Sequence, residues 1–151
     1  MNEAAKKRAL SLLEKRDYSR KMLLDKLTEK GASEPEAAEI CDWLCELGVV
    51  DDARYAALTV RHYAAKGYGE RRIRDELFRR GVPRELWDEA LAQLPETDDA
   101  AYRLLCQKLR GWDGDPAGLQ RAQGALLRRG FSWDDVRAAL ERFRSENEDL
   151  L

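Results

Sequence analysis

Seven cationic side chains crowd the middle of this chain. They are Arg61, Lys66, Arg71, Arg72, Arg74, Arg79 and Arg80, set against Glu70, Asp75 and Glu76. A guanidinium presents a planar fork of donors that suits phosphate or carboxylate oxygens, so the chemistry on offer is anion recognition. On a helix, Ile73 and Leu77 share one face while Arg72 and Arg79 project from the other. Asp75–Arg79 and Glu76–Arg80 have the i,i+4 spacing of ordinary surface pairs, each contributing roughly 0.3 kcal/mol. Arg79 and Arg80 therefore fit either role. Lys66, Arg71, Arg72 and Arg74 run short of acidic partners, which favours contact with phosphate or an acidic protein surface. Tyr68 can stack on a base or peptide, or fill a gap between helical units, and packing is the favoured reading.

Other chemistries have thin support. His62 is the one histidine of the chain, and no nucleophile or orienting group stands beside it as a general base requires. Gly67-Tyr68-Gly69 lacks the strand setting and the Lys-Ser/Thr of a phosphate-binding loop. Cys41 and Cys45 share a helix face, but zinc needs more soft ligands, and neither His62 nor Cys106 completes a recognisable spacing. No catalytic residue, metal site or cofactor is expected. Of the tryptophans, Trp43 and Trp87 fall within apolar helical patterns, whereas Trp112 and Trp133 lie at a loop and a helix start and are expected to be the more exposed pair.

The elements that must hold the basic stretch read as helices throughout. The chain has 151 residues, is 44% hydrophobic and 37% charged, and carries a net charge of -2. That charged share is above the usual quarter and points to elongated, well-solvated helices. The acidic balance argues mildly against unaided nucleic-acid binding and is easier to reconcile with a protein partner. Three cysteines and a charged N-terminus without a leader pattern suggest a reducing compartment. No stretch approaches the roughly 18 apolar residues of a membrane span. The expectation is a cytoplasmic protein, monomeric and without a membrane partner.

Helices are expected over about 3–16, 20–30, 34–47, 52–66, 69–80, 83–94, 97–109, 117–129 and 133–144. Ser19, Ser33, Asp51 with Asp52, and Ser132 are placed to cap starts, Thr97 or Asp98 to cap another, and Pro95 to end one. Ser33-Glu34-Pro35-Glu36 has the capping-box pattern. Gly31, Gly81 and Gly130 end helices at intervals of fifty and forty-nine residues. Each follows a basic residue, Lys30, Arg80 or Arg129. Leu27, Leu77 and Leu126 lie four positions before, and a break or cap lies twelve before, at Ser19, Gly69 and Gly118. Ala32, Val82 and Phe131 follow directly. Such a period is an internal repeat. The fold expected is all-α, a tandem array of three three-helix repeats over residues 1–48, 49–95 and 96–151, elongated and curved, and suited to binding.

One stretch resembles a known family. Val50-Asp51-Asp52-Ala53-Arg54-Tyr55-Ala56, Lys66 through Leu77, and Arg80-Gly81-Val82 closely resemble the signature of the RecX family. Leu126 through Ser132 is similar to that family's third-repeat signature, and Tyr18-Ser19 through Leu27 to its first. The resemblance spans about residues 5–145. It implies a non-enzymatic regulator of the RecA recombinase, active in homologous recombination, DNA repair and the SOS response. Such a protein binds in the groove of the RecA filament on single-stranded DNA, hinders filament growth and promotes its loss. Lys66, Tyr68, Arg71, Arg72, Arg74, Arg79 and Arg80 are the residues expected to face RecA or the DNA. Met22 departs from the family, standing where an acidic residue is usual. A stand-alone helical nucleic-acid binder is the alternative, since helical triplets resemble helix-turn-helix units.

Overall fold

The computed structural model describes residues 1–94 and 97–147, and all regular structure among them is helical. The α-helices are α1 Glu3–Lys15, α2 Arg20–Glu29, α3 Glu34–Glu46, α4 Asp52–Ala65, α5 Glu70–Arg79, α6 Trp87–Leu91, α7 Thr97–Lys108, α8 Pro116–Arg128 and α9 Trp133–Glu146. Pro95 lies outside the described residues, as do the side chains of Thr97 and Asp98, so the expectations for them stand where the sequence left them.

The ends of the helices follow their sequence signals. Ser33 and Glu36 close a reciprocal capping box, as do Ser132 and Asp135. The Asp51 carboxylate accepts from Arg54 N–H at 3.1 Å and so satisfies one of the orphan donors of α4. The glycine terminators share one geometry. Gly31, Gly81 and Gly130 have φ of 109°, 71° and 97°. The following residue donates back to the leucine: Ala32 to Leu27 at 3.0 Å, Val82 to Leu77 at 3.0 Å, Phe131 to Leu126 at 3.1 Å. This is the Schellman closure, in which an apolar residue past the glycine packs on one inside the helix. The fixed Leu–basic–Gly–apolar spacing of the repeat is the sequence form of that closure.

Two expectations need correction. The helix expected to run from Pro83 to Leu94 is shorter. It enters through a 3-10 turn at Arg84–Leu86 and ends as α6 at Leu91. A proline at 95 disfavours helical backbone at the residue before it. Gly118 does not open its helix. Asp115 is the N-cap, accepting from Ala117 N–H at 3.2 Å, and Gly118 lies inside α8. A Cβ there would fall 2.8 Å from Cδ1 of Trp112. The glycine admits an indole whose Nε1–H donates to the Asp115 carbonyl at 2.8 Å.

The chain forms two compact units, Met1–Thr59 with Glu76–Ala90, and Val60–Asp75 with Leu91–Leu151. In the first, Ala5, Ala9, Leu23, Leu27, Ile40 and Leu44 pack into one core. In the second, Leu105, Leu126, Phe131, Val136, Leu140 and Phe143 do the same. Each unit also holds one junction between successive repeats. In the first unit, Ser19 Oγ caps α2 by accepting from Met22 N–H at 3.2 Å and donates its own proton to the carbonyl of Arg80. In the second, Gly69 N–H donates to the carbonyl of Arg129 at 2.8 Å, and Arg71 N–H to that of Gly130 at 3.1 Å. The two junctions share a register: the start of one repeat's second helix meets the Schellman end of the next repeat's second helix. Close approach is part of it. A Cβ on Gly69 would lie 2.5 Å from the Gly130 carbonyl carbon.

Candidate anion-binding clefts

The second unit contains most of the basic stretch, and there its side chains divide by task. Arg71 reaches the end of α8, where its guanidinium donates to the Leu127 carbonyl at 3.1 Å. Arg129 returns the favour, donating to the Lys66 carbonyl at 3.1 Å, past the end of α4. Cations at helix C-termini satisfy orphan carbonyls and oppose the negative end of the dipole. The Tyr68 ring holds two guanidinium groups, those of Arg72 and Arg129, each 4.7 Å from its centre. Arg72 also lies 5.8 Å from the Tyr63 ring, which meets Tyr68 edge to face. These cation–π contacts give Tyr68 a packing role.

Arg74 corrects the expectation that its acidic partners run short. Its Nε is 3.5 Å from Glu70 Oε2, an i,i+4 pair along α5. Both side chains are about half exposed, so the pair contributes at most about 0.5 kcal/mol.

Two clefts flank these residues. One, of about 560 Å³, is lined by Arg71 and Arg74 on one side and by Phe131, Trp133 and Asp135 on the other. Trp133 is 59% exposed, as the sequence led one to expect. Trp112 differs from that expectation: it is half-buried against Phe143, with ring centres 6.2 Å apart. The other cleft, of about 300 Å³, brings Lys66 together with Arg103 and Arg129. Arg103 sits on α7, 37 residues from Lys66 in the chain. Neither it nor Trp133 was assigned to the site from sequence. The exposed Trp133 at a helix start was the one available signal.

Arg79 and Arg80 belong to the first unit and serve Glu76. That glutamate is only 6% exposed, with Arg79 and Arg80 each 3.4 Å from its oxygens. Arg80 also donates to the Tyr55 hydroxyl at 2.7 Å, and that hydroxyl donates to Met22 Sδ at 3.4 Å. The i,i+4 pairing of Glu76 and Arg80 expected from sequence is present, but its carboxylate is buried. Removing one partner of such a buried pair is costly because the other is left uncompensated. Phe78, passed over in the sequence, is 69% exposed on the same helix.

Tandem three-helix repeats, joined helix-start to helix-end and carrying cation-lined clefts, define a helical-repeat protein. Family models identify the repeats one by one. The first, second and third three-helix domains of RecX match residues 5–44, 51–91 and 96–140. The chain belongs to the RecX family. It is 35% identical over 133 residues to "Regulatory protein RecX" of Chromohalobacter salexigens, covering 87% of this chain and 88% of that one. It is 41% identical over 135 residues to the RecX of Xanthomonas axonopodis pv. citri, covering 87% and 83%. The crystal structure of RecX from Lactobacillus salivarius superposes with a TM-score of 0.85 over 93% of this chain and 94% of that one, at 22% identity, and so shares its fold. No helix among the described residues is long and apolar enough to cross a membrane.

Proposed function

We propose that this chain is a binding modulator of the RecA filament on single-stranded DNA, one that hinders filament growth and promotes disassembly. ATP hydrolysis, strand exchange and co-protease activity of RecA then fall together, because all three need the filament. Membership of a regulatory family sets the class. The observation that carries the reading to a surface is the pair of clefts in the second unit, one lined by Arg74 with the exposed Trp133, the other by Lys66 and Arg103. Guanidinium and ammonium groups would engage filament phosphates or acidic RecA side chains, and the indole would add stacking or apolar contact. Arg71, Arg72 and Tyr68 act chiefly by holding this surface in shape. Arg79 and Arg80 do so for Glu76, with the outer donors of Arg79 left for a partner.

The test is to titrate the protein into RecA on single-stranded DNA and follow ATP hydrolysis. Wild-type protein should inhibit at ratios well below one per RecA. A K66A/R74A/R103A variant should require at least about tenfold more protein, since each lost charge-assisted contact is worth roughly 1.5–3 kcal/mol before screening. Absence of inhibition by the wild type even at filament stoichiometry would sink the proposal.

A further inference from the structure

A group of cations that face one cleft lies outside the stretch that the sequence singled out. Lys108, Arg110, Arg121 and Arg128 line a cleft of about 500 Å³ in the third repeat. All four side chains are exposed. Among the described residues, none of them has a carboxylate oxygen within 4.0 Å. Asp113 and Asp115 share the cleft, but both are turned to the backbone. Asp113 accepts from Asp115 N–H at 3.0 Å, and Asp115 caps α8. Several cations elsewhere do pair with carboxylates: Arg20 with Asp42, Arg142 with Asp99, Arg74 with Glu70. A group of four that does not is a standing attraction for an external anion.

The cleft is also shaped. Positions 118, 121, 122, 125 and 128 fall on one face of α8 at i, i+3, i+4, i+7 and i+10. Glycine and alanines form its floor and the two arginines rise from it. Gly124 is bare where a Cβ would come within 3.2 Å of the Arg128 guanidinium. Trp112 forms one wall, its indole fixed by the Asp115 carbonyl. Arg121 and Arg128 stand about 10 Å apart along the helix axis, by the rise of 1.5 Å per residue. They follow Arg72 and Arg79 by forty-nine residues, so they occupy repeat-equivalent positions. In the middle repeat those positions are engaged by Tyr68 and Glu76. In the third they line open space.

We infer that this cleft is a second nucleic-acid contact, holding a short segment of single strand by its phosphates. Three of the cations are arginines, whose forks bind phosphate bidentately. An aromatic wall beside them suits a base next to its phosphate, which an acidic peptide would not use. The site shares no lining residue with the two clefts above and requires no recombinase.

The experiment is fluorescence anisotropy of a labelled oligothymidylate with the full chain, without RecA, over a range of salt. Wild type should bind at low salt with a clear log–log salt dependence. R121A/R128A should weaken binding at least about tenfold and flatten the slope by about 1.4, the value for two lost phosphate contacts on a single strand. R121Q/R128Q, which keeps the alkyl stems, should behave alike, and both should match wild type in far-ultraviolet circular dichroism. Superimposable titrations would overturn the inference, as would loss of binding in R74A/R103A but not in R121A/R128A. Competition by oligoglutamate as effective as by unlabelled oligothymidylate would overturn it in favour of an acidic protein surface. RecA inhibition is read separately, so failure here leaves the filament proposal standing.

Discussion

At the residue scale, Gly69 carries more structural consequence than any single arginine near it. Its neighbour Gly67 has φ of 84° and open space where a Cβ would be. Gly69 lacks that φ, yet a Cβ on it would meet the Gly130 carbonyl carbon and oxygen and the Phe131 nitrogen at 2.5, 2.6 and 2.6 Å. These are backbone atoms, which cannot swing aside as a side chain would. Gly69→Ala must therefore separate α5 from the end of α8 and break the 2.8 Å hydrogen bond between Gly69 and Arg129. The expected cost is about 2–3 kcal/mol, read as a shift of the urea midpoint. Gly67→Ala meets only the left-handed penalty of about 1 kcal/mol. Equal midpoints for the two variants would remove the close approach from the account. From sequence, Gly69 was legible as a repeat position but not as a contact, because its partner lies 61 residues away. Arg74 and Glu70 are four residues apart, and that pairing was open to reading from spacing alone.

At the scale of elements, the helices were largely legible because their ends are written locally. Capping serines, the capping box and the Leu–Gly–apolar closure each lie within six residues, so pattern alone finds them. Gly118 was misread because the cap of α8 moved to Asp115 and the glycine serves the Trp112 indole, a contact between loop and helix that no period encodes. One element is tied by a titratable group. Glu36, in the first turn of α3, accepts from Asn2 Nδ2–H at 2.5 Å and from Ser33 N–H at 3.3 Å. Asn2 is the N-cap of α1, so this carboxylate joins the starts of α1 and α3. These hydrogen bonds, that from Asn2 foremost, hold Glu36 below its ordinary pKa. A lowered folded-state pKa means the contribution is fully present above the unfolded value and lost as pH falls through the folded one. Wild type should lose stability on acidification through the carboxylate range more steeply than Glu36→Gln. Urea midpoints measured across that range would decide it, and parallel curves would show that the carboxylate charge is not what ties α1 to α3.

For the whole molecule, the repeat register read from sequence explains the cores but not how α5 is held, since that depends on contacts far apart in the chain. Its first turn belongs with the unit that contains α7 to α9, and its last turn with the unit that contains α1 to α3. The N–H groups of Gly69 and Arg71 donate to carbonyls at the end of α8. The Arg80 carbonyl, past the other end, accepts from Ser19. A chain truncated after Leu94 loses every acceptor of the first kind and keeps the second. Without Arg129 it also loses one of the two guanidiniums on Tyr68 and the donor to Lys66. Helix termini fray when their orphan groups lose partners. Hydrogen exchange on the truncated chain should therefore show residues 69–73 close to unprotected while residues 76–80 keep the protection they have in the intact protein, because opening is local where contacts are local. A chain lacking residues 1–48 should show the reverse gradient along the same helix. Uniform loss of protection along α5 in either truncation would mean that the helix opens as one cooperative segment, and that its two ends are not secured independently by the repeats before and after it.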